Sequence, residues 1–265
     1  MAPQARYVDG ANSATLPKNF YSSEFYTNRL IDNISQAKDD KPFFAYAAYT
    51  APHWPLQAPR EYIEKYRGKY DVGYASIRSA RMKRMHELGL VASEEKASDT
   101  EGLFPQWQDL TPQQRSSEAR RMEVYAAMVE KLDFEIGRLI DYLKRSGKFD
   151  NTIIFFMADN GAEGSDPEDI WGGNTKYIRS NFDNSVENIG NATSFTGYGP
   201  QWATVSETPF RMYKGFTYEG GIRVPAFCAN APGTRKGARS DAYMTVQDLA
   251  PTFLQLAGVS QVSGT

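Results

Sequence analysis

The stretch that most constrains this chain is residues 151–164, NTIIFFMADNGAEG. Thr152 to Met157 is a short apolar run, rich in β-branched and aromatic residues, and it reads as a strand buried on both faces, as in a parallel sheet. Asp159, Asn160, Gly161 and Glu163 follow at once. In open α/β sheets, ligands sit beyond the carboxyl ends of the strands. A carboxylate and a carboxamide placed there are hard oxygen donors, suited to Ca²⁺ or Mg²⁺, and Gly161 permits a tight turn beneath them. The same residues also serve a plain turn after a strand. Other stretches are needed to choose between the two.

A second apolar run, Pro42 to Tyr49 (PFFAYAAY), is another candidate buried strand. Thr50-Ala51-Pro52-His53-Trp54-Pro55 follows, and its two prolines stiffen the loop around His53. His53 is thereby placed where a ligand would sit, although a histidine bonded to loop carbonyls fits the same pattern. A third stretch, TPFRMYKGFTYEGGIRVPAF from Thr208, carries Lys214 and then Glu219-Gly220-Gly221 ahead of a predicted strand, Ile222 to Cys228. The glycines allow a ligand or a neighbouring strand to come close. Lys214 beside an anion site would act as a compact point charge on sulfate or phosphate oxygens. Arg211 and Arg223 offer the same chemistry, although Arg223 is also spaced to pair with Glu219.

Between these stretches the pattern alternates. Residues 1–20 read as a polar surface segment. Ser22 or Ser23 can cap a helix starting near Glu24, with Phe25, Leu30, Ile31 and Ile34 on its buried face, before a charged loop at 38–41. Short helices are expected around Ile63–Tyr70 and over Ser76 to Leu90, the latter with a solvated basic face that includes His86. Residues 59–110 and 164–208 read as long surface insertions, and Tyr66, Tyr70 and Trp107 are candidates to line a substrate cleft. Thr111-Pro112 opens the clearest helix, in which Met122, Tyr125, Val129, Leu132, Ile136, Leu139 and Leu143 recur at helical spacing and Gly147 closes. It runs straight into the strand at Thr152, a helix-to-strand order typical of a parallel sheet. Val246 to Gly258 reads as a final amphipathic helix that tolerates Pro251 near its start.

Composition narrows the partners. A formal net charge of -2 provides no basic field for nucleic acid and no polybasic patch for a membrane surface. No apolar run approaches the roughly 20 residues needed to cross a bilayer. The single cysteine, Cys228, excludes an intramolecular disulfide and is expected to be a small buried apolar residue. The start of the chain lacks the apolar core of a signal peptide, which points to the cytoplasm. The glycosylation patterns Asn33-Ile34-Ser35 and Asn191-Ala192-Thr193 carry little weight in that setting.

Taken together, PFFAYAAYTAPHWPLQAP, TIIFFMADNGAEG, YKGFTYEGGIRVPAF and TVQDLAPTFLQLAG resemble four segments of the sulfatase family, in the family's order and over nearly the whole chain. The resemblance is to bacterial-type arylsulfatases within the alkaline-phosphatase-like superfamily. It implies an α/β fold with a mostly parallel sheet flanked by helices, and a single partial catalytic domain over residues 1–265. It implies hydrolysis of a sulfate ester to an alcohol or phenol and sulfate. Asp159 and Asn160 would be Ca²⁺ ligands. His53 would contact the sulfate and help protonate the leaving oxygen, and Lys214 would bind a sulfate oxygen and assist departure of the alcohol. The sequence departs from the family in one serious respect. The C/S-x-P-x-R motif that yields the formylglycine nucleophile is absent, as are the aspartate pair and the lysine–histidine motif that precede these segments in the family. The domain is therefore expected to be incomplete on its N-terminal side and impaired in activity. Its Ca²⁺ site should be weak, and an open sheet edge should favour self-association. A non-catalytic anion- or metal-binding module built from the same pocket is the alternative.

Overall fold

The computed structural model describes residues 7–37, 41–100, 102–168 and 174–259. The expectations for residues 1–6 and for most of the charged loop at 38–41 lie outside the described residues. A small antiparallel pair, β1 (Val8–Asp9) and β2 (Asn12–Ser13), precedes helix α1 (Ser22–Gln36). Tyr21, rather than a serine, occupies the N-cap, and no side-chain capping bond forms. The buried face is also more polar than predicted: Ser23, Thr27 and Ile34 face inward, because α1 packs on a charged patch of the longest helix.

Residues 59–110 fold into α2 (Arg60–Ile63), a 3₁₀ turn and α3 (Gly73–Glu87). Helix α4 (Pro112–Arg145) begins as its sequence prescribes. Thr111 Oγ1 accepts from the Gln114 N–H, and Gln114 Oε1 accepts from the Thr111 N–H, so two otherwise unpaired donors are satisfied reciprocally. Gly147, at φ +71°, closes the helix in the left-handed conformation that glycine adopts without strain. The chain continues through β3 (Ile154–Met157), α5 (Asn174–Asn181), α6 (Gly199–Ser206), α7 (Glu219–Ile222), β4 (Ala226–Ala229) and α8 (Leu249–Leu256). Among the described residues, no helix is long and apolar enough to cross a membrane.

The core gathers around Trp202 of α6, which is fully buried. The rings of Tyr70, Tyr74 and Trp107 lie 5.7, 4.7 and 6.1 Å from it, and the Trp202 indole N–H donates to the Glu118 carbonyl at 2.9 Å. Leu56, Ile63, Met122, Val124, Ala127, Met128, Ile189, Tyr198, Ala203 and Val205 complete the cluster. The stretches 59–110 and 164–208 contribute core residues as well as surface, and Tyr66, Tyr70 and Trp107 are partly buried against that core. Large aromatic rings bury too much apolar area to be left on an open loop when a tryptophan centre is within reach.

The sheet also differs from expectation. Strand β3 pairs antiparallel with β4, with Ile154 opposite Ala229 and Met157 opposite Ala226. Among the described residues the sheets are these two antiparallel pairs, with one isolated parallel bridge between Gln57 and Gly190. Strand β3 is half-buried rather than covered on both faces, and β4 is largely exposed. Cys228, on β4, is accordingly exposed and not buried. The strand expected from Ile222 starts later, because Glu219–Ile222 winds into the turn of α7. Pro42 to Tyr49 forms no assigned strand and is mostly exposed, without a ladder partner among the described residues. An apolar run specifies that a segment can be a strand; the neighbouring strand that completes it must come from elsewhere. The last helix starts with a 3₁₀ turn capped by Thr245 and Asp248, and Phe253 of α8 packs between Phe44 and Phe155.

Candidate active site

Three loops meet at the carboxyl end of β3. The first leaves β3 through Asp159 to Ser165. The second, 208–221, carries Lys214. They interlock through glycines with no room for a side chain. A Cβ on Gly161 would stand 1.9 Å from the Gly220 carbonyl oxygen, one on Gly220 would stand 2.1 Å from that of Met212, and one on Gly221 would stand 2.0 Å from that of Phe216. Gly220 and Gly221 thus admit the backbone of their own loop, and Gly161 meets Gly220 across the two loops. The Lys214 N–H donates to the Ala162 carbonyl at 3.0 Å and the Gly161 N–H to that of Gly221 at 3.2 Å, so Lys214 is fastened directly to the strand-end loop.

The third loop holds His53 between Pro52 and Pro55. Its exit is tied down where the Leu56 N–H donates to the Thr196 carbonyl at 2.9 Å and the Gln57 amide donates to that of Ser194 at 2.9 Å. His53 Nδ1 lies 2.9 Å from the Trp54 carbonyl oxygen, so the histidine does bond a loop carbonyl. Its other nitrogen still faces the site. Nε2 lies 3.2 Å from Lys214 Nζ and 3.4 Å from Glu163 Oε2, and Lys214 Nζ lies 2.7 Å from the same carboxylate oxygen. The imidazole and the ammonium, far apart in sequence, are thus brought together over a third residue that sequence reasoning noted but gave no role. Glu163 is the most enclosed of the three side chains, 12% exposed against 40% for His53 and 33% for Lys214. Burial alone would raise the Glu163 carboxyl, but hydrogen bonds from Lys214 and from Ser165 outweigh it and hold the group below the usual carboxylate range.

A second carboxylate supports the loop from beneath. Glu207 accepts a hydrogen bond from the Ala162 N–H. Burial pushes its carboxyl up to about 7, although the Ala162 hydrogen bond and the charge of Arg81 favour the ionised form. The two arginines considered as anion ligands are engaged elsewhere. Arg211 lies over the Tyr218 ring and donates to the Asp99 carbonyl, and Arg223 pairs with Glu219 at 3.6 Å and lies over Phe210.

Asp159 and Asn160 stand at the end of β3, the first exposed and the second half-buried. Among the described residues, no group of three or more His, Cys, Asp or Glu side chains is assembled as a metal ion would require. The two residues fit Ca²⁺ in donor type, but they supply two side chains toward a shell of about six to eight oxygens.

The chain matches the sulfatase family model over residues 2–259 and belongs to that family. It is 48% identical to an uncharacterised sulfatase of Schizosaccharomyces pombe over 91% of its own length and 44% of the relative's. It is 38% identical to an arylsulfatase of Klebsiella aerogenes over 96% of its length and 54% of that protein. The chain therefore spans about half the length of these curated relatives. The crystal structure of Ps i-CgsB in complex with k-i-k-neocarrahexaose superposes on 95% of this chain and 37% of that one, with a TM-score of 0.55 at 22% identity. With the family match, this likeness establishes the alkaline-phosphatase-like α/β fold, while the described strands remain the small antiparallel pairs given above.

Proposed function

We propose that this chain carries part of an arylsulfatase-type active site, acting on a small-molecule sulfate ester to release an alcohol or phenol and sulfate. The observation that supports it most is the meeting of His53 and Lys214 at the carboxyl end of β3 in a chain of the sulfatase family. Lys214 binds a sulfate oxygen as a point charge and stabilises the departing oxygen. His53 contacts the sulfate and supplies a proton to that oxygen. Asp159 and Asn160 are the Ca²⁺ ligands that these residues contribute, in a weak site completed by water or other groups. A bound Ca²⁺ would add Lewis-acid stabilisation of the sulfate charge.

These 265 residues contain no C/S-x-P-x-R motif, so formylglycine has no recognised position and turnover is expected to be impaired. The same absence favours a second reading, a binding module that holds an anion without turning it over. Hydrolysis of a chromogenic aryl sulfate with Ca²⁺ present separates the two, run beside Lys214→Ala and with sulfate binding followed by calorimetry. Turnover abolished in the variant supports the hydrolase. Sulfate binding that needs Lys214, without turnover, supports the binding module. Neither turnover nor binding overturns both.

A further inference from the structure

Glu163 sits between Lys214 and His53. The three distances around it define who donates to whom. An ammonium carries donors only, and a carboxylate acceptors only. The two shortest separations both start at Lys214 Nζ, 2.7 Å to Glu163 and 3.2 Å to His53, whereas Glu163 and His53 are 3.4 Å apart. The ammonium is therefore the shared donor, with the carboxylate and the imidazole as its acceptors. A nitrogen accepts only without a proton; a proton on Nε2 would have to turn to Glu163 Oε2 across 3.4 Å, the longest of the three separations, and would give up the 3.2 Å contact with Lys214. On the far side of the ring, Nδ1 faces the Trp54 carbonyl oxygen at 2.9 Å, which can only accept. Glu163 is itself held, since its Oε1 accepts from the Ser165 N–H at 2.9 Å.

We propose that Glu163 is a positioning residue: it anchors the Lys214 ammonium against His53 Nε2 and so fixes His53 as the neutral Nδ1–H tautomer. The chain of partners runs from the Ser165 N–H through Glu163, Lys214 and His53 to the Trp54 carbonyl, and each of these links pairs a donor with an acceptor. This deepens the reading proposed above and rests on it, because the oriented pair is the one assigned to the sulfate. Glu163 then holds Lys214 in place beside Nε2, the His53 nitrogen that faces the site.

The test needs no turnover. The chain has two histidines, so proton–nitrogen correlation spectra of the imidazoles at alkaline pH resolve both, and a His86→Gln variant assigns His53. The expected result is an Nδ1–H pattern for His53 in the parent, retained in Glu163→Asp and lost to the Nε2–H form in Glu163→Gln and Lys214→Met. Backbone amide spectra of each variant verify the fold, and if Glu163→Gln does not fold, the parent, Glu163→Asp and Lys214→Met decide. An Nε2–H pattern in the parent overturns the proposal, as does an Nδ1–H pattern that survives the loss of Lys214 or of the Glu163 charge. A chain that turns over no sulfate ester but shows the expected pattern would sink the hydrolase reading and leave this one standing.

Discussion

At the scale of single residues, Glu207 makes the stability of the site loop depend on pH. Its folded-state carboxyl is raised from the ordinary 4.5 to about 7, so the folded protein holds that proton more tightly than the unfolded chain does. The stability gained is complete below about pH 4.5 and is lost as the pH rises through about 7. Because the side chain is not fully buried, solvent screening reduces the contribution to about 1–2 kcal/mol. The melting temperature should fall between mildly acidic and mildly alkaline pH in the parent, and fall less in Glu207→Gln. Equal slopes in the two proteins would refute this assignment. Glu207 was invisible in the sequence because nothing local marks a carboxylate that will be covered by distant segments. His53 and Lys214 stand out in the sequence because rigid prolines and paired glycines frame them, and the fold brings the two side chains together. Glu163 stood in the same apolar-to-polar junction as Asp159, but its role depends on a lysine that only the fold brings near.

At the scale of elements, α4 shows both what a helix sequence reveals and what it hides. Its cap, its proline and its closing glycine all sit where local chemistry places them. Its buried face does not follow apolar spacing alone. Val129 is exposed, while Lys131 and Glu135 are buried, Glu135 completely. Glu135 lies 2.7 Å from Lys131 and 2.6 Å from Arg138, and Lys131 also reaches Glu24 of α1 at 3.0 Å. The partners of Glu135 lie on α4 itself, four residues before and three after it, and that spacing is legible; what the sequence of α4 does not show is that α1 covers this side of the helix, with Glu24 reaching Lys131. Removing Glu135 leaves the buried Lys131 with only the half-exposed Glu24 as a counter-charge. Glu135→Ala should therefore cost about 3 kcal/mol in urea unfolding. A loss near that of an exposed ion pair, under about 1 kcal/mol, would mean that the network does not fasten α1 to α4.

At the scale of the whole molecule, the strands carry the largest gap between sequence and structure. The run at 42–49 and strand β3 have strand composition, yet only β3 has a partner among the described residues, and that partner, β4, presents its own outer face to solvent. Phe44 and Tyr46 are 79% and 84% exposed, and Phe227 and Ile222 extend the apolar surface. A sheet is completed by strands from anywhere that can reach it, so apolar runs predict strands but not their neighbours. The chain covers about half of its curated relatives. A mostly exposed apolar segment without a ladder partner among the described residues, next to a two-stranded sheet, is a template for strand pairing with another chain. The purified chain should therefore self-associate, with a mass by light scattering that rises with concentration. Phe44→Glu combined with Phe227→Glu should shift that curve toward the monomer while the helical circular dichroism, which the Trp202 core supports, stays unchanged. A constant monomer mass over a wide concentration range would show that the open strands are covered within one chain, and the exposed surface would then need a different account.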